Sequence, residues 1–533
     1  MTNYKLLIFI ITVVLSFNRC RNSAEETIRP NILFVISDDQ SYPHTSFAGC
    51  TFVNTPNFDR VAHEGIYFAN AYAASPGCAP SRSALVTGRH HWQNEQSGQH
   101  FSSWLKKYVP FVDELEANGY VLGKTGKGVI PFRYARNEKD SLWRMGNAAG
   151  PNFDFVNYTD EDDERTTTGI RDLNYAENFK IFMDSIRGDK PFFYWFGAYE
   201  PHRVYEAGSW RRLGKKLEDV QVPDFFPDTK EIRGDLLDYA VEIEWFDLHL
   251  GRMLAYLEEI DELDNTIVIV TADNGMPFPR AKSNSYDYGV HVPMAIRYPK
   301  EIPAGKVCET PVGFIDIAPT LFEVTGISPS QMMPITGRSI WSMITELKED
   351  KDRAVFSGRE RHSSSRYNNL GYPQRAVRKG DYLFIWNMKP KRWPAGAPQK
   401  YDKNDTTKIL NMYSLDEDGN YLKDGIFNDI DNSPTKTYLI ENHNNKDIRP
   451  FFELAVSKRP EYELYNVVTD RACINNLSGN DNYRLIEEEL KTLLEKELRQ
   501  TSDPRVVGPN KEIFDSYKRH AGTRKYPKPE YLK

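Results

Sequence analysis

The sequence predicts an α/β protein: a large mixed, mostly parallel sheet sandwiched by helices, followed by a smaller C-terminal α+β subdomain with a short antiparallel sheet. Three observations carry this. Asn31–Ser37 (NILFVIS), Pro191–Tyr199 (PFFYWFGAY) and Thr266–Ala272 (TIVIVTA) are continuous apolar runs, the signature of parallel strands covered on both faces. Segments with apolar residues at helical spacing lie between them. After about Leu370 the texture changes to short strand-like pieces separated by turns.

In chain order, Asn31–Ser37 ends abruptly at Asp38-Asp39. Pro56–Gly65 reads as a helix capped by Thr55 and stopped by Gly65. Ile66–Ala74 reads as a short strand leading into Cys78–Gly88, a loop that turns into a short helix with Pro80 in the first helical position and Gly88 as its stop. Tyr108–Asn118 is a further helix, and the polar residues 133–172 read as a surface insertion and substrate-side loop. Asn174–Arg187 is an amphipathic helix before the second strand, which ends in Glu200-Pro201-His202-Arg203. Leu236–Ile260 is a long helix, and the third strand ends in Asp273-Asn274-Gly275. Phe314–Gly326 is a helix. Residues 27–370 are therefore expected to form the larger N-terminal domain and 371–533 the smaller unit, with strands at Arg375–Lys379 and Tyr382–Trp386, a helix at Leu485–Leu498 and a basic, wrapping tail at Lys518–Lys533.

The chain has 533 residues, 40% hydrophobic and 27% charged, with a net charge of -7, which argues against broad nucleic-acid binding. Residues 1–20 read as an export signal, Lys5 preceding the apolar run Leu6–Leu15, so the mature protein is expected to be exported, and periplasmic if the source is bacterial. Simple cleavage is favoured; Cys20 as a lipid anchor is the alternative, poorly served by Asn18 and Arg19 before it. No later segment is apolar enough for an integral membrane span. Five cysteines, one of them in the export signal, give no disulfide framework, and one bridge at most is expected.

In open parallel sheets ligands bind off the carboxyl ends of strands, so Asp38, Asp39, His202, Asp273 and Asn274 are expected in one crevice. Two aspartates at one strand end and an Asp-Asn pair at another give the oxygen set that Ca²⁺ or Mg²⁺ prefers. Cys78 stands at a helix N-terminus, which favours an anion, and Arg82 one turn in carries a fork that fits a tetrahedral oxyanion. That combination points to sulfate or phosphate chemistry.

Cys78-Ala79-Pro80-Ser81-Arg82 through Thr87-Gly88-Arg89 also resembles the signature C-x-P-S-R-x-x-x-x-T-G-R of the sulfatases, formylglycine-dependent enzymes of the alkaline phosphatase superfamily. The resemblance runs from about Asn31 to Leu477 and includes Glu463-Leu464-Tyr465-Asn466. It implies that a maturation enzyme converts Cys78 to formylglycine, and that Asp38, Asp39, Asp273, Asn274 and the modified residue 78 bind one divalent metal, usually calcium. It further implies Lys127 and Lys282 as sulfate contacts and His202 as proton donor to the leaving group. Without the family, both lysines read as solvated loop residues. The sequence departs from the pattern at Val129, where sulfatases usually carry histidine, and at His291, where they often carry arginine. Tyr199–Arg203, Asp273–Pro279, Arg361-His362 and Tyr372–Arg378 look most like the heparan N-sulfatase branch. An N-sulfated or O-sulfated glucosamine in heparan-type saccharides is therefore the expected substrate, with Arg203, Arg361, His362 and Arg375 reading its acidic groups and His291 counted with them among the substrate-binding residues. A sulfatase acting on another sulfated glycan, a phosphatase or phosphonate hydrolase of the same superfamily, and a non-catalytic glycan-binding homologue are the alternatives.

Overall fold

The computed structural model describes residues 29–134, 146–161, 163–186, 190–423 and 425–533. The expected export signal at 1–20 and Cys20 lie outside them, as does Arg187. The central sheet has seven strands, in chain order β1 (Asn31–Ser37), β2 (Ile66–Phe68), β3 (Val121–Gly126), β4 (Phe192–Gly197), β5 (Thr266–Ala272), β6 (Met294–Arg297) and β7 (Lys306–Cys308). Their spatial order is β7-β2-β6-β5-β1-β4-β3. Strands β3, β4, β1 and β5 are mutually parallel, so their carboxyl ends share one edge. Strand β6 is antiparallel to both its neighbours.

Every residue of β1, β4 and β5 is buried, which is why these runs are uniformly apolar rather than alternating. Alternate residues still face opposite layers. Ile32, Phe34 and Ile36 pack with Trp195 and Ile269 against helices α2 (Cys78–Thr87), α3 (Phe111–Ala117) and α6 (Ile317–Thr325). Leu33 and Val35 pack with Tyr194, Phe196 and Val270 against α1 (Pro56–Glu64), α4 (Tyr175–Ser185) and α5 (Lys230–Glu259). The 30-residue α5 starts earlier than its apolar spacing indicates, because Thr229 caps it by accepting from Ile232 N. Asn174 caps α4 in the same way, from Glu177 N.

The second sheet is antiparallel, β8 (Val355–Arg359), β9 (Gln374–Lys379), β10 (Tyr382–Asn387) and β11 (Tyr462–Asn466) in that order. Its first strand lies upstream of residue 371. Leu490, Leu494 and Leu498, on one stripe of α7 (Arg484–Gln500), cover Val377, Phe384 and Leu464 on one face. The segment 518–526 wraps back over the larger unit: His520 N donates to Phe101 O at 2.7 Å and Tyr526 Oη to Ser364 O at 3.0 Å. Among the described residues no helix is long and apolar enough to cross a membrane.

A fully buried ion cluster locks β9 in place. Arg375 meets Glu360 at 2.8 Å and Asp503 at 2.6 Å, and Arg505 meets Glu360 at 2.7 Å. Removing one member of such a cluster leaves an uncompensated buried charge. Arg375→Ala is expected to cost about 3–5 kcal/mol, read as a lower denaturation midpoint in a urea or thermal melt; an unchanged midpoint would contradict this account.

Candidate active site

Four parallel strands deliver the site. β1 runs into Asp38-Asp39, β3 into Lys127, β4 towards His202 and β5 into Asp273-Asn274. Asp39 adopts a left-handed conformation (φ 72°), which aspartate tolerates better than most residues and which turns the chain sharply off the strand. Asp39 N donates to Asp273 Oδ1 at 3.0 Å, and Asn274 Nδ2 donates to Asp39 Oδ1 at 2.8 Å. The two acid pairs are thereby stitched together across 234 residues of sequence.

Helix α2 supplies the other half. It begins at Cys78 and ends at Gly88 (φ 63°), whose N–H returns to Ala84 O and Leu85 O. Pro80 occupies the third helical position rather than the first. The ligand atoms of Asp38, Cys78 and Asp273 all lie within 4.8 Å of one another, and all three residues are buried. Arg82, fully buried, donates from Nε to Asp273 Oδ2 at 2.7 Å and from Nη1 to the carbonyls of Lys127 (2.8 Å) and Gly128 (3.1 Å). Its Nη2 has no hydrogen-bond partner. Lys127 Nζ contacts Asp38 Oδ2, and Lys282 Nζ contacts Asp39 Oδ2 at 2.5 Å and Asp431 Oδ2 at 3.2 Å.

Burial and then the neighbouring Asp38 push the Asp273 carboxyl up from its ordinary value. Burial would lower Lys127 and Lys282, but the adjacent acids outweigh it and hold both as ammonium ions. Burial raises the Cys78 thiol to about 11, with Lys127 partly opposing. Asp38 Oδ1 and Asn274 Oδ1 are buried and accept no hydrogen bond. Hard oxygen donors left unmatched beside crowded carboxylates are what a divalent cation would satisfy, so the residues present fit Ca²⁺ or Mg²⁺.

These groups open into a crevice of about 980 Å³, lined by Cys78, Lys127, His202, Lys282, His362 and Asp431 among others. His202 is part-exposed; its Nε2 is 3.8 Å from Asp39 Oδ2 and its Nδ1 lies 2.6 Å from Arg203 O.

Four expected substrate contacts are engaged elsewhere. Arg203 also borders the crevice, but its guanidinium is bound bidentately to Asp235 (2.7 and 2.9 Å) and donates to Pro277 O. Arg361 donates to Tyr517 O and Ser102 Oγ, and Arg375 belongs to the ion cluster beneath β9. His291 is buried between the rings of Tyr42 and Tyr72 and pairs with Asp287 at 3.2 Å. In each case an arginine or histidine that reads as a ligand-binding side chain in the sequence has an internal partner that only the fold reveals. His362 alone of the five expected contacts faces the crevice without such a partner in the hydrogen bonds described.

Two residues were not anticipated. His100 Nε2 lies 2.9 Å from Cys78 Sγ; Val129, at the position where a histidine was expected, is buried in the apolar core. Asp431 pairs with Lys282 and forms, with Asp39 and His202, a second group of closely spaced ligand atoms. Its loop is held by Lys436 Nζ, which donates to Ile426 O (3.1 Å) and Ile430 O (2.9 Å). Neither residue ends a strand or belongs to a recognisable motif.

Known proteins resemble this chain in sequence and in fold. The family model "Sulfatase" matches residues 30–327, and "N-sulphoglucosamine sulphohydrolase, C-terminal" matches 281–393. Human N-sulphoglucosamine sulphohydrolase is 25% identical over 90% of this chain and 92% of its own. The N-acetylglucosamine-6-O-sulfatase of Bacteroides thetaiotaomicron is 23% identical over 92% and 90%. Among solved structures, one in complex with its substrate D-glucosamine-2-N,6-O-disulfate superposes with a TM-score of 0.59 at 18% identity, covering 91% of this chain and 99% of that one. The phosphonate monoester hydrolase of Agrobacterium radiobacter gives 0.58 at 14% identity, covering 89% and 96%. With a matching model over more than half its length, the chain belongs to the sulfatase family, hydrolases of sulfate esters and sulfamates.

Proposed function

We propose that the protein is an exported sulfatase that removes an N-sulfate or O-sulfate from glucosamine in heparan-type saccharides, using a formylglycine made from Cys78 and Ca²⁺, with Mg²⁺ as the alternative metal. The observation that carries the reading is the meeting of Asp38, Cys78 and Asp273 beside the buried Arg82. The match of residues 281–393 to the C-terminal part of N-sulphoglucosamine sulphohydrolase supports the glucosamine assignment. Arg171, set over the Tyr199 ring, and Arg524 on the crevice wall suit an anionic saccharide.

Asp38, Asp39, Asp273, Asn274 and the converted side chain at 78 would hold the cation, which when bound supplies positive charge to a sulfate oxygen and to the hydroxyl at residue 78. Arg82 and Lys127 fix the position of that hydroxyl and, with Lys282, place positive charge around the sulfate. The first turn of α2 adds backbone N–H donors. His202, at the mouth of the site, delivers a proton to the departing oxygen or nitrogen. Sγ of Cys78 marks where one oxygen of the hydrated aldehyde would stand. Cys78 is only 4% exposed, so its conversion by a maturation enzyme has to precede completion of the fold.

The decisive experiment combines the mass of the residue-78 peptide with sulfate release from a panel of defined heparan, chondroitin and mucin-type sugars, aryl sulfate and aryl phosphate. The converted peptide is lighter than the thiol form. Release from no glucosamine sulfate would defeat the substrate assignment, and faster turnover of aryl phosphate would favour the phosphohydrolase alternative. Chelation of divalent cations is expected to lower both turnover and the melting temperature, each restored by Ca²⁺ or Mg²⁺; indifference of both to chelation would refute the metal. His202→Ala is expected to reduce turnover of saccharide sulfates by about 10²–10⁴-fold and of an aryl sulfate with a good leaving group far less. Equal losses on the two substrates would remove His202 from the proton-donor role.

A further inference from the structure

We propose that His100 is the proton acceptor that frees sulfate from residue 78 at the end of the reaction; this rests on the formylglycine reading above. Among the described residues, the Cys78 side chain makes one hydrogen bond, to His100 Nε2 at 2.9 Å. The same nitrogen receives the backbone N–H of Ala79 at 3.4 Å, which favours the tautomer with its lone pair on Nε2, facing residue 78. The other charged groups around Cys78 are unsuited to the task. Arg82, Lys127 and Lys282 have donors only, and Asp38 and Asp273 are the candidate metal ligands.

The ring is built into place. His100 N donates to Arg361 O at 3.3 Å, and the Arg361 side chain is itself pinned by Ser102 and Tyr517. His362 meets the ring edge to face, with centroids 4.4 Å apart. Gly77 leaves room for both rings, since a Cβ there would crowd them, 3.0 Å from His100 Cε1 and 3.1 Å from His362 Nδ1. A single sulfur atom here lies within 4.8 Å of ligand oxygens of Asp38 and Asp273 on one side and 2.9 Å from His100 Nε2 on the other. A hydrated aldehyde has two oxygens on the same carbon, one for each side. After attack on sulfur, one oxygen carries the sulfo group and the other keeps its proton. Nε2 takes that proton, the O–H electrons form the new C=O bond, and the bond from carbon to the sulfated oxygen breaks, with its electron pair leaving on sulfate. Nothing is oxidised or reduced.

The test uses the full-length protein and an aryl sulfate. His100→Gln keeps the volume and a hydrogen-bonding amide without a basic nitrogen; His100→Ala removes both. Each variant is checked for conversion of residue 78 and for its melting temperature. Both are expected to release one equivalent of phenol quickly and then turn over about 10²–10⁴-fold more slowly, while the residue-78 peptide from quenched reactions becomes heavier by one sulfo group. Wild-type turnover in H100Q, or loss of turnover with no sulfo adduct in a converted variant, would overturn the role of His100 alone. A thiol at residue 78 in active wild-type protein would instead overturn the formylglycine reading, and this role with it.

Discussion

The structure depends on bringing like charges together. Asp38, Asp39 and Asp273 are driven onto one edge of the sheet by the parallel arrangement of β1 and β5, and at that separation they repel. Arg82, Lys127 and Lys282 answer them one for one. Asp431, which shares Lys282, makes the cluster four acids to three bases, so a divalent cation together with a singly charged sulfate ester would leave no net charge in the site. This is also why the lysines come from separate segments. Lys127 follows the edge strand β3, which β4 separates from β1, and Lys282 lies in the loop after β5, so the acids are met from different sides.

Much of this was legible in the sequence. The strands β1, β4 and β5 announced themselves because burial on both faces requires unbroken apolar runs, and the polar clusters at their ends marked the crevice edge. Strand β3 did not, because Val121–Gly126 sits at the border of the sheet and contains Gly123 and Lys124, which break the apolar pattern. Strand β6 pairs antiparallel and is short enough to read as part of a loop. The four expected substrate contacts that have internal partners share one cause: a sequence shows that a charged side chain exists but not which distant acid, carbonyl or ring receives it. His100 illustrates the converse. Its place beside Cys78 depends on a loop 22 residues downstream folding back, guided by a contact with Arg361 and not by any local periodicity.

The second sheet does more than flank the first. Glu463 on β11 accepts from Tyr286 Oη at 2.9 Å and from Asn387 Nδ2 at 2.6 Å, tying the small sheet to the loop that carries Lys282. The Asp429–Asp431 loop is fixed on the same side, with Asp429 gripping Arg359 and Arg366 while Asp431 reaches Lys282. The crevice is thus a seam whose floor comes from the parallel sheet and whose opposite wall comes from late parts of the chain.

The wrapping segment gives that seam a history. Ser103 bonds to His520, closing a span of 417 residues, and Arg524 lies on the crevice wall. A ribosome delivers the chain from its N-terminus at about 5–20 residues per second, so tens of seconds separate the emergence of the α2 segment from that of the tail that lines the same crevice. During that interval the side chain at position 78 is still within reach of other molecules, and the order of synthesis itself sets how long it stays so.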